Sequence, residues 1–168
     1  MSLTLYEVSV PVFIRAFDNL TAILEKAQRF AEENQMSDRD LLDARLFPDM
    51  GNLISQIQRA SDSAKFAAVR VGQVESVPMK DEEVSFEDLH DRIANTVAFL
   101  KKVPAASMDG RDEAPVELKS GGSVRTLTAR DYILGFALPN FFFHVTTAYA
   151  LLRHKGVPIG KLDYLGRP

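Results

Sequence analysis

Two polar side chains lie in the otherwise apolar helical segment LPNFFFHVTTAYALLRHKG, residues 138–156. Asn140 and His144 are four residues apart, so they lie nearly above one another on one helical face. At this spacing two residues of one helix can share a metal ion. Histidine is a good ligand, whereas the neutral asparagine oxygen is a weak ligand for zinc. The pair is therefore a candidate metal or substrate site.

A second predicted helix supplies further candidates. Gln56 lies on the apolar stripe of this helix, where its amide needs partners, and Asp49 lies two turns before it. If this helix packs against the helix of His144, we expect Gln56 to meet the imidazole. An adjacent stripe, expected nearer the rim, holds Gln58, Asp62 and Lys65.

The same residues also have a purely structural interpretation. A histidine on an apolar helix is commonly a hydrogen-bonded core residue. Gln56, bonded to His144 or Asn140, would then form a polar layer that fixes the helix register. Phe143 and Tyr149 on the same helix are candidate ligand-binding residues, but aromatic side chains at helical spacing belong more often to a core. The pattern leaves both interpretations open.

Composition narrows the function classes. A chain of 168 residues, with 46% hydrophobic and 26% charged residues, is typical of one globular domain, expected here over residues 1–168. A net charge of −3 without a basic stripe argues against nucleic-acid binding. The absence of cysteine excludes disulfides and thiolate metal sites and favours a cytoplasmic protein. There is also no nucleophile elbow, P-loop or dinucleotide-binding glycine pattern.

The segment 132–152 contains no Asp, Glu, Lys or Arg, a length that could span a bilayer. Pro139, Asn140 and His144 lie in its middle, where they would be costly against lipid. We therefore predict a central helix covered on nearly every side, and no membrane span. The bundle core would cover one side and a second subunit the other, which predicts a homodimer.

Helix signals mark four long elements. The first helix spans about Thr4–Asn34, and Pro11 either starts its regular part or kinks it. The motif SDRD at residues 37–40 resembles a capping box. The second helix is expected to begin at Pro48, with Asp49 near its positive end, and to close at Gly72.

The second half of the chain carries the other two helices. The motif SFED, from Ser85, caps a third helix that ends before Pro104. Residues 116–127 predict a small hairpin around Gly121-Gly122. The motif TARD, from Thr128, caps the last long helix, which Pro139 should kink or split. These elements predict an all-α four-helix bundle with a small β-hairpin before the last helix.

Three blocks, ARLFPDM, QIQRASDSAK and PNFFFHVTTAYALLRHKGVPIGKLDYLG, resemble an uncharacterised, domain-of-unknown-function branch of the DinB/YfiT-like superfamily. The resemblance covers nearly the whole chain. It implies an up-down-down-up four-helix bundle, often dimeric. In members with a full motif, it implies nickel or zinc held by one histidine of the second helix and a histidine pair of the fourth. Some such members are thiol-dependent transferases or isomerases, and others are hydrolases.

By this resemblance, His144 matches the second histidine of the pair and Asn140 stands in place of the first. The second helix has no histidine, so Gln56 is the nearest candidate there, with Asp49 behind it. The resemblance thus implies a metal-dependent hydrolase or thiol-dependent transferase with a degenerate nickel or zinc site. The alternative is a dimeric, non-catalytic module without metal, which binds an unidentified small molecule or serves as an interaction module. Whether the protein is an enzyme stays open at this point.

Overall fold

Four long helices form the molecule, which a computed structural model describes over residues 3–120 and 122–166. In chain order the elements are α1 (Val10–Glu33), α2 (Asp38–Leu42), α3 (Leu53–Gly72), α4 (Phe86–Lys101), β1 (Pro115–Ser120), β2 (Ser123–Thr128), α5 (Ala129–Tyr132), α6 (Leu138–His154) and α7 (Lys161–Leu165). A π-helical turn, Ile133–Ala137, joins α5 to α6. The strands pair antiparallel, with Val116 opposite Leu127. The predicted all-α four-helix bundle with a hairpin before its last helix is confirmed.

Helix α3 packs against both α6 and α4, and α1 closes the bundle on the other side of α4 and α6. The buried face of α3 is rich in alanine: Ala60, Ala64, Ala67 and Ala68. Such small side chains let a neighbouring helix approach closely. The close α3–α6 pairing brings the polar positions of these two helices together.

Two predicted helix starts have different outcomes. Helix α1 begins at Val10, with Pro11 in its first turn. Of the two predicted roles of this proline, a helix start or a kink, the structure has the first. The predicted start of α3 at Pro48 is wrong. Its N-cap is Asn52, whose side chain accepts a hydrogen bond from the backbone N–H of Ser55 at 3.0 Å. Asp49 therefore lies in an exposed turn before the helix.

The predicted capping signatures are confirmed. Ser37 and Ser85 each form a capping box with the aspartate three residues later. Thr128 accepts a hydrogen bond from the backbone N–H of Asp131 at 3.1 Å. At the end of α3, Gln73 rather than Gly72 adopts the left-handed conformation, with φ 51°. Of the hairpin glycines, Gly121 lies outside the described residues.

The last long helix is divided, as Pro139 predicts. Proline lacks a backbone N–H and cannot donate to the preceding turn. The wider π-helical turn lies just before it, and α6 then runs to His154. None of the helices within residues 3–120 and 122–166 is long and apolar enough to cross a membrane. The outer side of this segment is open in the single chain, where Phe136 is 41% and Phe143 56% exposed.

A cluster of charged side chains around the buried Arg92 ties α3, α4 and the connection 73–85 together. The guanidinium bonds Asp81 at 2.8 Å, Glu83 at 2.9 Å and Asp62 at 3.2 Å. Lys65 also pairs with Asp62, at 3.1 Å, and is only 4% exposed. The expectation that Lys65 lies at the rim is therefore wrong, because this cluster neutralises its charge inside the protein.

Candidate functional site

A cavity of about 290 Å³ lies between two polar helical stripes. From α3 it is lined by Arg59, Asp62, Ser63, Phe66 and Arg70. The other side is formed by α5, the π-helical turn and α6. It is lined at every fourth residue, by Tyr132, Phe136, Asn140 and His144, and also by Ala137. A small, concave space with convergent polar groups has the form of a small-molecule site.

His144 is held by a hydrogen-bond relay that reaches the backbone. Nδ1 of His144 lies 2.8 Å from Oε1 of Gln56, and Nε2 of Gln56 donates to the carbonyl of Gly51 at 2.9 Å. Since the Gln56 amide nitrogen already donates to Gly51, its oxygen must accept from His144. The proton of the neutral imidazole is therefore on Nδ1, and Nε2 keeps its lone pair.

The environment keeps this imidazole neutral. His144 is only 7% exposed. Burial, with the positive charge of Arg59 as a second cause, lowers the pKa of His144 from 6.5 to about 4. Within the described ranges, no side chain or backbone group hydrogen-bonds Nε2. At neutral pH, His144 thus presents a hydrogen-bond acceptor at the cavity.

Asn140 is oriented by a second relay. Its Nδ2 donates to Oγ of Ser63 at 2.6 Å, and this hydroxyl donates in turn to the carbonyl of Arg59 at 2.7 Å. The amide nitrogen is therefore used within the protein, which leaves the carbonyl oxygen of Asn140 as its remaining acceptor. Both predicted polar residues of α6 are fixed by partners on α3.

The other end of the cavity is cationic and aromatic. Nη1 of Arg70 donates to the hydroxyl of Tyr132 at 3.0 Å. The guanidinium carbon lies 5.0 Å from the ring centroid of Phe66 and 5.6 Å from that of Tyr132. Burial raises the pKa of Tyr132, although Arg70 opposes the shift. The phenol is therefore a neutral donor in this site.

The structure brings together three of the six predicted site residues. Gln56, Asn140 and His144 meet at the α3–α6 contact, and the expected bond between Gln56 and His144 is present. Asp49 has no hydrogen bond or ion pair to them and lies in the turn before α3.

The two predicted aromatic ligand-binding residues lie outside the cavity lining. Phe143 is exposed, with its ring centroid 5.2 Å from that of His144. Tyr149 faces the C-terminal segment, where its ring meets Tyr164 at 5.9 Å. Their proposed role in ligand binding therefore has no support from the cavity itself.

Sequence reasoning missed the residues that α3 and α5 add. Arg59, Ser63, Phe66 and Arg70 recur at steps of three and four residues, so their common face was visible in the sequence. Tyr132 and Phe136 continue the four-residue step of Asn140 and His144 toward the N-terminus. Arginine and phenylalanine do not bind metals, so a pattern of metal ligands does not include these positions.

The donor set does not fit the nickel or zinc ion that the resemblance implies. Within the described residues, no group of three or more His, Asp or Glu side chains is placed to hold a metal. Gln56 already uses both ends of its amide, on His144 and Gly51. His144 is then a strong ligand, but the carboxylate of Asp62 is already paired with Arg92 and Lys65, and the nearby charge of Arg59 would repel a cation.

A larger cavity of about 500 Å³ lies between α1, α6 and α7. Its main polar side chains are already used in holding the C-terminal segment. Arg15 donates to the carbonyl of Leu165, and Asn19 donates to that of Tyr164. This cavity therefore offers apolar surface but few polar groups to orient a ligand.

Comparisons with known proteins agree with this architecture. The family model described as "Domain of unknown function (DUF1993)" matches residues 5–165. The crystal structure of a DinB family member protein from Shewanella denitrificans superposes with a TM-score of 0.89 at 37% sequence identity. The match covers 98% of this chain and 93% of that one. No match is found among curated proteins.

Proposed function

The chain belongs to the DUF1993 family of DinB-like domains of unknown function, and we propose that it binds a small organic molecule in the α3–α6 cavity. The observation that carries this proposal is the neutral, oriented imidazole of His144, whose Nε2 has no hydrogen-bond partner in the described part of the chain. A polar atom in such a place is stabilised when a ligand donates to it.

Ligand binding accounts for these features better than metal-dependent catalysis. A general base works best with a pKa near the working pH, and the pKa of His144 lies well below neutrality. The metal-dependent hydrolase or thiol-dependent transferase implied by the family resemblance stays a prediction. Its weakness is that, within the described residues, no group of three or more His, Asp or Glu side chains is placed to hold a metal.

The proposal is tested by screening a small-molecule fragment set against ¹⁵N-labelled protein by NMR. We expect at least one fragment to shift the His144 imidazole and amide signals from both cavity stripes. Ser63→Leu, which fills the cavity, should abolish these shifts. Ala150→Leu, on α6 outside the lining, is the matched control and should keep them. A screen in which no fragment shifts these signals would overturn the proposal.

Elemental analysis distinguishes the metal-dependent alternative from a metal-free ligand-binding site. It compares the wild-type protein, purified without chelator, with His144→Ala prepared in the same way. Near-stoichiometric nickel or zinc that disappears in the variant would favour the enzyme and count against a metal-free site. Ligand binding by protein in which neither metal is detected would support the present proposal. Protein soaked in either metal and dialysed provides the positive control.

A homodimer also stays a proposal, supported by the aromatic side chains that α6 and the π-helical turn leave exposed. Phe143 and Phe136 would lie under a second copy. Light scattering of the wild-type protein and of Phe143→Ser, as each elutes from a size-exclusion column, measures the oligomeric state. A wild-type protein that is monomeric at all concentrations would count against the homodimer. Cytoplasmic location is likewise a prediction from the sequence.

A further inference from the structure

The cavity carries positive charge that the protein itself does not neutralise. Arg59 and Arg70 both line it, and in residues 3–120 and 122–166 neither forms an ion pair with a carboxylate. Asp62 also lines the cavity, but Arg92 and Lys65 already bind its carboxylate. An anionic group of a ligand would therefore find unmatched cations there.

Arg70 is oriented in advance for such a group. Its guanidinium lies against the rings of Phe66 and Tyr132, and one of its N–H groups is bonded to the Tyr132 hydroxyl. The remaining donors of the planar fork suit the two oxygens of a carboxylate. Tyr132 is 1% exposed and its hydroxyl hydrogen has no acceptor within the described ranges, so it can donate to the same anion.

The distance between the Arg70 end of the cavity and the His144 end limits the length of the ligand. The guanidinium of Arg70 lies over Phe66, which is about one helical turn nearer to Arg59 on α3. Phe66 and Arg59 are seven residues apart, which is about 10 Å along a helix. Phe66 and Phe136 provide aromatic surface in the cavity lining. A flat ring suits such a surface because aromatic pairs stack or meet edge to face.

We propose that the cavity selects a small aromatic carboxylic acid with a hydrogen-bond donor at its far end. The carboxylate is bound by the guanidinium of Arg70 and the hydroxyl of Tyr132, and the donor meets Nε2 of His144. This inference rests on the proposed function, since it names the class of molecule that the same cavity binds.

The test compares three probes by NMR titration and calorimetry: 4-hydroxybenzoate, its neutral analogue 4-hydroxybenzamide, and benzoate. We expect 4-hydroxybenzoate to bind at least about tenfold more tightly than the amide, because only the acid pairs with Arg70. Benzoate lacks the donor for His144 and should bind several-fold more weakly than 4-hydroxybenzoate.

Two variants test the assigned contacts. Arg70→Gln should weaken 4-hydroxybenzoate by about tenfold or more and leave the amide nearly unchanged. Tyr132→Phe keeps the ring and removes the hydroxyl, so it provides a second test if Arg70→Gln does not fold. Arg39→Gln, at an exposed surface ion pair, is the control and should bind all three probes as the wild type does.

The outcomes separate this inference from the proposed function. Equal binding of acid and amide in the cavity would overturn the anion assignment and leave small-molecule binding standing. Absence of binding by all three probes at millimolar concentration would also overturn it, while fragment hits at the His144 signals would keep the proposed function. If neither the fragment screen nor the titration with the three probes detects binding, both the anion assignment and the proposed function are overturned.

Discussion

The imidazole of His144 on α6 donates from Nδ1 to Oε1 of Gln56 on α3, across 2.8 Å. This one bond joins the two helices that form the candidate site and fixes the tautomer of the histidine. It also removes Gln56 from the set of available metal ligands. A site that the family resemblance assigns to metal binding here presents a neutral acceptor at the cavity.

Gln56→Glu should raise the pKa of His144 by about 2, because a carboxylate beside Nδ1 stabilises the imidazolium. An NMR titration of the imidazole carbon and nitrogen signals measures this pKa. In the wild type we expect about 4. Gln28→Glu, on α1 and outside the cavity lining, should leave the pKa of His144 at about 4. Equal pKa values in the wild type and Gln56→Glu would contradict the relay.

The stability of the protein should depend on the protonation of His144. Its pKa in the folded state, about 4, lies below the unfolded value of 6.5, so the unfolded chain binds the proton more strongly. The free energy of unfolding should therefore fall as the pH decreases from about 6.5 to about 4, by about 3 kcal/mol in total. Above this window His144 is neutral in both states and contributes no pH dependence.

Urea unfolding at several pH values tests this linkage through a comparison of variants. His144→Gln removes the titrating group. The free energy of unfolding of this variant should therefore fall less than that of the wild type between about pH 6.5 and about pH 4. His154→Gln, at the exposed end of α6, should follow the wild-type curve. Parallel pH curves for the wild type and His144→Gln would show that the imidazole is not the group responsible.

Gly51→Ala should disturb the relay from its backbone end. A Cβ atom at Gly51 would lie 2.9 Å from Cβ of Ser55 and 3.2 Å from Nε2 of Gln56, closer than side chains normally approach. We expect a loss of about 1 kcal/mol in unfolding free energy and a shifted His144 imidazole signal. At Gly135 an added Cβ would meet no described atom within 4 Å, so Gly135→Ala is the matched control. Similar stability of the two variants would argue against close packing around Gly51.

Arg92→Ala should destabilise the bundle by about 2 kcal/mol, because it leaves the carboxylate of Glu83, which is 10% exposed, without its ion-pair partner. Burial opposes ionisation of Glu83, but hydrogen bonds from Gln58 and Arg92 hold the pKa of this carboxyl below its usual value. Chemical denaturation at pH 7 gives the loss. Arg39→Ala removes an exposed ion pair and should cost little. A loss from Arg92→Ala no larger than this control would mean that the cluster contributes little.

Local signals in the sequence were sufficient for most of the fold. Capping boxes at Ser37 and Ser85, and the apolar stripes of the four long helices, depend on neighbours within one or two turns. Pro139 predicted the division of the last helix for the same local reason. The predicted start of α3 at Pro48 was wrong because proline favours a first turn and asparagine an N-cap, and it is the Asn52 side chain that caps the helix.

The sequence by itself determined that Asn140 and His144 share a helical face, since four residues make about one helical turn. Their partners depended on which helices pack together, and spacing along one helix carries no information about this. The pairing of α3 with α6 decided that His144 binds Gln56, that Asn140 binds Ser63, and that Asp49 joins neither. The contact of α3 with the segment before α6 placed Arg70 beside Tyr132 in the cavity lining. Only the tertiary structure could decide these points, because long-range contacts between side chains arise from the packing of whole helices.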